Sequence, residues 1–281
     1  MKLHIFHRTV YQYSSLVRDS FNETRLQPVS ALGQECLSFL LKVVPAVRLS
    51  HYFDFHGNFV HFFEIVEAHP TLTVDASSLV KTVANRLGVE MTSVPLARLP
   101  ECVRQERCHD FLQSSHYVEL SPEVWRLALD ASLGQGDVWQ CAVAMMRFIR
   151  ANFSYVPFST NVNTHTTEVV RLRRGVCQDF AHVMIGMCRS VKIPARYVSG
   201  YLYNGPLDSL VGAQASHAWC EVYVPDLGWL GLDPTNNQAA DERYVRVAVG
   251  RDHADVPMIR GTYKGGRAQS LAVEVRVTAA E

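Results

Sequence analysis

Cys177, His217 and Asp233 supply, in chain order, a nucleophile, an acid–base group and a carboxylate, the three parts that acyl transfer through a thiol requires. Cys177 sits in Arg174-Gly175-Val176-Cys177-Gln178-Asp179-Phe180-Ala181-His182, where a glycine-containing turn feeds a helix. From it, Phe180, Ala181, Met184 and Cys188 follow on one helical face. The thiol therefore belongs in the first turn, where the helix dipole and unpaired N–H groups favour thiolate. A free cysteine also fills core readily, so the downstream residues decide. Ser216-His217-Ala218-Trp219 opens a strand, and Leu232-Asp233-Pro234-Thr235-Asn236 closes the next. An imidazole beside a helix-start thiol can hold a thiolate–imidazolium pair, and a carboxylate on its far nitrogen fixes the tautomer.

Strand periodicity tests this grouping. His217, Trp219 and Tyr223 share one face, whereas Ala218, Cys220, Val222 and Val224 share the other, so Cys220 is expected in core. Asp233 directly opposite His217 requires a longer connection than a two-residue turn at Asp226-Leu227, which would put Asp233 on the wrong face. A wider loop or a bulge at Gly228 or Gly231 is expected.

The 281 residues are 48% hydrophobic, enough for a substantial core, and 27 Lys+Arg balance 27 Asp+Glu. That balance gives no global field for nucleic acid or an anionic membrane. A local basic cluster, Arg171, Arg173 and Arg174, precedes Cys177 and reads as a solvated turn or a local positive potential. The N-terminus has no apolar signal core and no segment is long enough to span a bilayer, so a cytoplasmic location is expected. Seven cysteines form no regular framework and fit reduced thiols.

The region from Met1 to about Leu87 is strand-like, with Leu37, Phe39, Leu41 and Val43 alternating and His56-Gly57-Asn58 as a hairpin turn. Its histidines, His4, His7, His51, His56 and His61, lack ligand spacing, and Cys102, Cys108 and His109 lack a fourth ligand, so no metal is expected. Ser121-Pro122 and Asp137 with Gln140 start two helices, and Pro194 ends the Cys177 helix. Strands are expected over 195–202, 217–224 and 229–233, with another carrying Leu271, Val273, Val275 and Val277. The domains read as an N-terminal β-sandwich (1–88), a connector (89–120), a catalytic core (121–262) and a C-terminal strand returning to a sheet (263–281).

Gly175 to His182, Arg196-Tyr197-Val198-Ser199-Gly200-Tyr201, His217-Ala218-Trp219 and Asp233-Pro234-Thr235-Asn236 together resemble the bacterial transglutaminase-like proteins of the papain-like superfamily. Thr9, Tyr13, Glu23, Arg25, Leu26 and Pro28 resemble the β-domain that precedes the core in that group. The resemblance implies an α+β fold in which a helix-borne cysteine packs on an antiparallel sheet carrying histidine and aspartate. It implies Cys177 as nucleophile, His217 as base and acid, and Asp233 as the orienting residue. Cys220 departs from the aliphatic residue usual at that position, which is harmless if it points into core.

The Cys177 N–H is the sensible first oxyanion donor, with Gln178 or the stretch from Tyr155 to Asn161 as candidates for a second. Tyr197 and Trp219 are cleft candidates, although packing beside the hairpin suits Trp219. Asp179 and His182 lie off the thiol's direction and suit capping or support. The expected activity is hydrolysis of peptide or isopeptide amides with no cofactor, the partner being a peptide or protein substrate. Transglutamination of protein glutamine is the runner-up, followed by a non-catalytic peptide-binding module and by a metal site built from Cys177, His217 and Asp233.

Overall fold

The computed structural model describes residues 1–31, 33–83, 93–161, 163–205, 210–211 and 216–280. The expected boundary between residues 88 and 89, and the Leu87 end of the strand-like region, lie outside the described residues. The fold is α+β, as the residue pattern predicts.

The N-terminal half is one antiparallel sheet built on β1 (Lys2–Thr24), with β2 (Gln34–Val44), β3 (Ser50–Phe53), β4 (Phe59–Ile65) and β5 (His69–Thr82) in the order β2-β5-β1-β4-β3. β1 serves two sheet segments: its first half pairs β5, and its second half pairs β4. The register breaks between Gln12 and Val17, and Asp19 takes a positive φ of 48°, so the strand bends and the sheet curls. Inside the curl Val17, Leu26, Val43, Phe63, Leu72 and Val74 form a core of their own. The β2 alternation is interrupted by a register shift between Cys36 and Ser38, which leaves Leu37 exposed while Leu41 and Val43 face inward. At the β3–β4 turn, Gly57 has a φ of 77° and the Asp54 carboxylate accepts the N–H groups of His56 and Asn58.

Two short helices follow, α1 (Leu99–Val103) and α2 (Glu106–His109), which bury Cys102 and Cys108 against Leu112 and Tyr223. Then come α3 (Pro122–Ala131) and α4 (Val138–Asn152), each starting where its cap predicts. The Ser121 hydroxyl accepts the Val124 N–H, and Asp137 accepts that of Gln140. β6 (Ser154–Tyr155), α5 (Thr166–Leu172) and β7 (Arg174–Gly175) lead into α6 (Cys177–Ser190). Every residue of α6 from Asp179 to Arg189 is buried, so this helix is the centre of the core, enclosed by the other helices on one side and a sheet on the other.

That sheet contains β8 (Ala195–Leu202), β9 (His217–Val224), β10 (Gly228–Asp233), β11 (Gln238–Ala239) and β12 (Tyr244–Gly250), in the order β11-β10-β9-β8-β12. β12 was not among the expected strands, although Tyr244-Val245-Arg246-Val247-Ala248-Val249 has the β-branched composition of one. Its outer edge is closed by side-chain amides of the N-terminal sheet. Gln34 bonds both the N–H and C=O of Arg246, and Asn58 does the same at Val249. These pairs satisfy an edge that would otherwise be open, and they fix the two halves relative to each other. The chain then returns: β13 (Ile259–Gly265) and β14 (Ala268–Ala279) both pair with β1.

Arg189, at the end of α6, has no exposed surface and donates to the carbonyls of Gln113, Ala195 and Arg251. A planar, multi-donor cation can satisfy several carbonyls at once. Here it ties α6 to the loop that follows β12.

Candidate active site

Cys177 opens α6 from an extended residue, Val176, so the first-turn N–H groups have no intrahelical carbonyl to bond. The Asp179 carboxylate accepts the Val176 N–H at 2.7 Å and the Thr160 hydroxyl at 2.6 Å, and so fixes the turn that presents the thiol. Burial raises the pKa of Asp179 against these hydrogen bonds. Cys177 is half-buried, whereas Cys102, Cys108, Cys141, Cys188 and Cys220 are buried in core.

His217 begins β9, and Asp233 ends β10. The strands pair Val224 with Gly228 and Cys220 with Leu232 around Pro225, Asp226 and Leu227. Gly228 takes a φ of 82° to close that turn, a conformation glycine adopts without a Cβ penalty. The connection is thus longer than a two-residue turn. Direct opposition of Asp233 and His217 is nevertheless corrected: continuing the ladder sets Asp233 opposite Trp219, one diagonal step from His217. The turn shifts the register by an even count relative to that expectation, so the two side chains still share a face and meet diagonally.

The His217 Nε2–H donates to Asp233 Oδ2 at 2.8 Å, with both side chains fully buried. An ionised carboxylate only accepts, so Nε2 carries the proton and, in the neutral ring, Nδ1 keeps its lone pair. Among the described residues Nδ1 has no hydrogen bond of ordinary geometry. The Cys177 thiol is nonetheless close enough to act on the ring's proton affinity, and both residues line one cleft. Burial by itself would lower the pKa of His217, but the charge and hydrogen bond of Asp233, with help from Cys177, raise it above the usual imidazole range. Burial would raise that of Asp233, and His217 with the other donors brings it below the usual carboxylate range.

Two of those donors were not foreseen. Asn236 gives Asp233 its backbone N–H at 3.3 Å and its side-chain amide at 2.8 Å, and the Tyr244 hydroxyl donates at 2.7 Å. Asn236 lies within a motif already singled out; Tyr244 is distant in sequence and belongs to the strand that was not expected. Replacing Tyr244 with phenylalanine removes a buried hydrogen bond to a charged group. Urea denaturation is expected to show a loss of about 1.5–3 kcal/mol.

The other candidates separate. Gln178 and Tyr197 line the cleft with Cys177. Tyr155 does not; it is half-buried against Phe180, with its ring centroid 6.2 Å away, and burial and the nearby Cys177 push its phenol up to about 12. Trp219 is also outside the cleft, 2% exposed, and lies nearly parallel to the His217 ring at 6.1 Å. Gly200 makes room for this: a Cβ there would fall 2.1 Å from the Val245 carbonyl and 2.7 Å from the Trp219 ring. Cys220 points into the core as expected. His182 is fully buried, stacks on Tyr117 and accepts the His253 N–H at 3.2 Å. It thereby anchors His253, whose ring lines the cleft and which the residue pattern had not suggested.

Among the described residues no three His, Cys, Asp or Glu side chains are placed to hold a metal ion. Asp233 takes Nε2 of His217, and Cys177 shares a cleft with that ring. No described helix is long and apolar enough to cross a membrane.

Comparison with known proteins agrees with this architecture. Residues 127–234, which contain Cys177, His217 and Asp233, match the transglutaminase-like superfamily core, and residues 3–81 match the bacterial transglutaminase-like N-terminal region. The chain is 34% identical over 280 residues to the uncharacterized protein ML0607 of Mycobacterium leprae, covering 99% of this chain and 98% of that one. It is 32% identical over 136 residues to a protein-glutamine gamma-glutamyltransferase of Pseudomonas aeruginosa, covering 44% of this chain and 20% of that protein. The fold matches that of a proposed cysteine protease from Cytophaga hutchinsonii with a TM-score of 0.79 at 24% identity, over 100% of this chain and 92% of that one. With both segments matched and the fold shared along its length, the chain belongs to the bacterial transglutaminase-like proteins.

Proposed function

We propose that the protein is a thiol-dependent acyl-transfer enzyme that hydrolyses peptide or isopeptide amide bonds through Cys177, His217 and Asp233. The observation that carries this reading is the shared cleft of Cys177 and His217, with the far imidazole nitrogen held by a buried carboxylate. Cys177 Sγ passes its proton to His217 Nδ1 and bonds the carbonyl carbon. The carbon–nitrogen bond then breaks, and His217 returns that proton to the departing amine. Water adds to the thioester, leaving one proton on Nδ1; the sulfur–carbon bond breaks, the acid departs, and the thiol recovers its proton. Asp233 holds the ring and stabilises its charged form throughout. The Cys177 N–H, at the helix start, suits the oxyanion, with Gln178 beside it in the cleft as the second candidate.

Transamidation is the second reading, favoured by the identity with the gamma-glutamyltransferase. It uses the same thioester and differs only in the nucleophile that resolves it. Seven free thiols, five of them buried, suit a reducing compartment such as the cytoplasm.

The test is iodoacetamide labelling followed by product analysis on glutamine-containing and isopeptide-linked peptides, with a labelled amine present. Burial pushes the thiols of Cys102, Cys108, Cys141, Cys188 and Cys220 up, and that of Cys36 likewise. Cys177 is expected to react ahead of them, and free acid is expected to exceed amine-coupled product. Dominant amine coupling would select transamidation. Labelling that does not single out Cys177, together with peptide binding but no product, would identify a binding module instead.

A further inference from the structure

We propose that the β1/β14 ladder is the second wall of the catalytic cleft and a subsite for an uncharged, apolar segment of a polypeptide substrate. This rests on the acyl-transfer reading of Cys177. The two strands pair His7 with Val275, Thr9 with Val273 and Tyr11 with Leu271. Alternate residues of a strand share a face, so these rungs form one surface. His7, Thr9, Tyr11, Val273 and Leu271 line the same cavity as Cys177 and His217. The N-terminal sheet therefore lines the cavity that holds the Cys177 thiol.

The wall is held in place. His7 Nδ1 is hydrogen-bonded to the hydroxyl of Tyr201 from β8 at 3.0 Å, and the other ring nitrogen is 2.9 Å from the Thr9 hydroxyl. Burial pushes the pKa of His7 down to about 4 and raises that of the Tyr11 phenol, so both are neutral near pH 7. The charged residues between and beside these rungs, Arg8, Glu274 and Arg276, alternate onto the opposite face.

Exposure along the apolar face of β14 rises outward from 8% at Val275 to 47% at Val273 and 57% at Leu271. At Val275 the core covers this face; two rungs further on it lies open. An apolar surface continuous with a buried one and leading to the thiol is suited to substrate that completes the burial. The cavity is about 230 Å³, smaller than the roughly 300–1,000 Å³ of sites that enclose a whole small molecule. It therefore holds the residues at the scissile amide while the flanking chain lies along Val273 and Leu271.

The experiment compares alkylation of Cys177 in the full chain by iodoacetamide and by two dipeptidyl chloromethyl ketones, one carrying leucine and one glutamate. Each reacts by thiolate displacement of halide. The wild type is expected to favour the leucyl ketone by about tenfold, the lower end of what one apolar contact discriminates. Leu271→Lys is expected to erase or reverse that preference, read as the ratio of the two ketone rates after each is divided by the variant's own iodoacetamide rate, with thermal melting within about two degrees of wild type. Val273→Lys, one rung nearer the buried end of the wall, is expected to do the same and serves if the first variant folds poorly. Equal wild-type rates for the two ketones, or an unchanged ratio in both variants, would overturn the subsite. A failure of the acyl-transfer reading looks different: iodoacetamide itself would then not prefer Cys177, and the subsite would fall with it.

Discussion

Cys177→Ala is expected to fold as the parent does and to lose amide hydrolysis by on the order of 10⁶ in kcat, the loss seen when the nucleophile of a concerted catalytic set is removed. The thiol is half-buried at a helix start, at the margin of the core, so alanine, the strongest helix former, is expected to change stability by less than about 1 kcal/mol. The effect is thus confined to chemistry. Turnover of a peptide substrate, measured beside thermal unfolding of the same preparation, checks both halves. Full activity in a folded Cys177→Ala protein would remove this residue from the mechanism, whatever its neighbours do.

Asp233→Asn is expected to lower kcat by about 10³–10⁴ with a smaller change in KM, because the amide can present a donor to Nε2 and stabilise the wrong tautomer. It also weakens the fold. Asp233 accepts from His217, Thr235, Asn236 and Tyr244, and removing one partner of a buried pair costs about 3–5 kcal/mol. His217 relieves part of that by giving up its charge, so the lower end is expected. The pH dependence follows from the two opposite shifts. Asp233, with its pKa lowered on folding, contributes stability above its unfolded pKa that is lost as pH falls through its folded one. His217, with its pKa raised on folding, contributes stability below its unfolded pKa that is lost as pH rises through its folded one. The stability gap between wild type and Asp233→Asn should therefore be widest in mildly acid solution and narrow toward either extreme. Urea denaturation across pH measures it; a gap independent of pH would mean that the pair is not ionised.

What the residues determine by themselves is local. The helix starts at Ser121, Asp137 and Cys177 were legible because capping residues and first-turn geometry act over a few positions. The order of cysteine, histidine and aspartate was legible because each sits at an element terminus. The faces of β9 were legible because side-chain period in a strand is fixed at two. Tertiary structure decided what depends on pairing between distant segments. The β9–β10 register follows from the Pro225-Asp226-Leu227 turn and Gly228, and it makes His217 and Asp233 diagonal neighbours where direct opposition was expected. Tyr244 reaches Asp233 only because β12 joins the sheet beyond β8, a placement held by Gln34 and Asn58 from the N-terminal half. His7, Thr9, Tyr11 and Leu271 come to the cleft because β14 returns to β1. No local propensity encodes such contacts, since hydrogen bonds between strands far apart in the chain depend on the burial and edge closure of the whole molecule. The helix-start thiol was written in nine consecutive residues, and the cleft it works in was written in the packing of both halves.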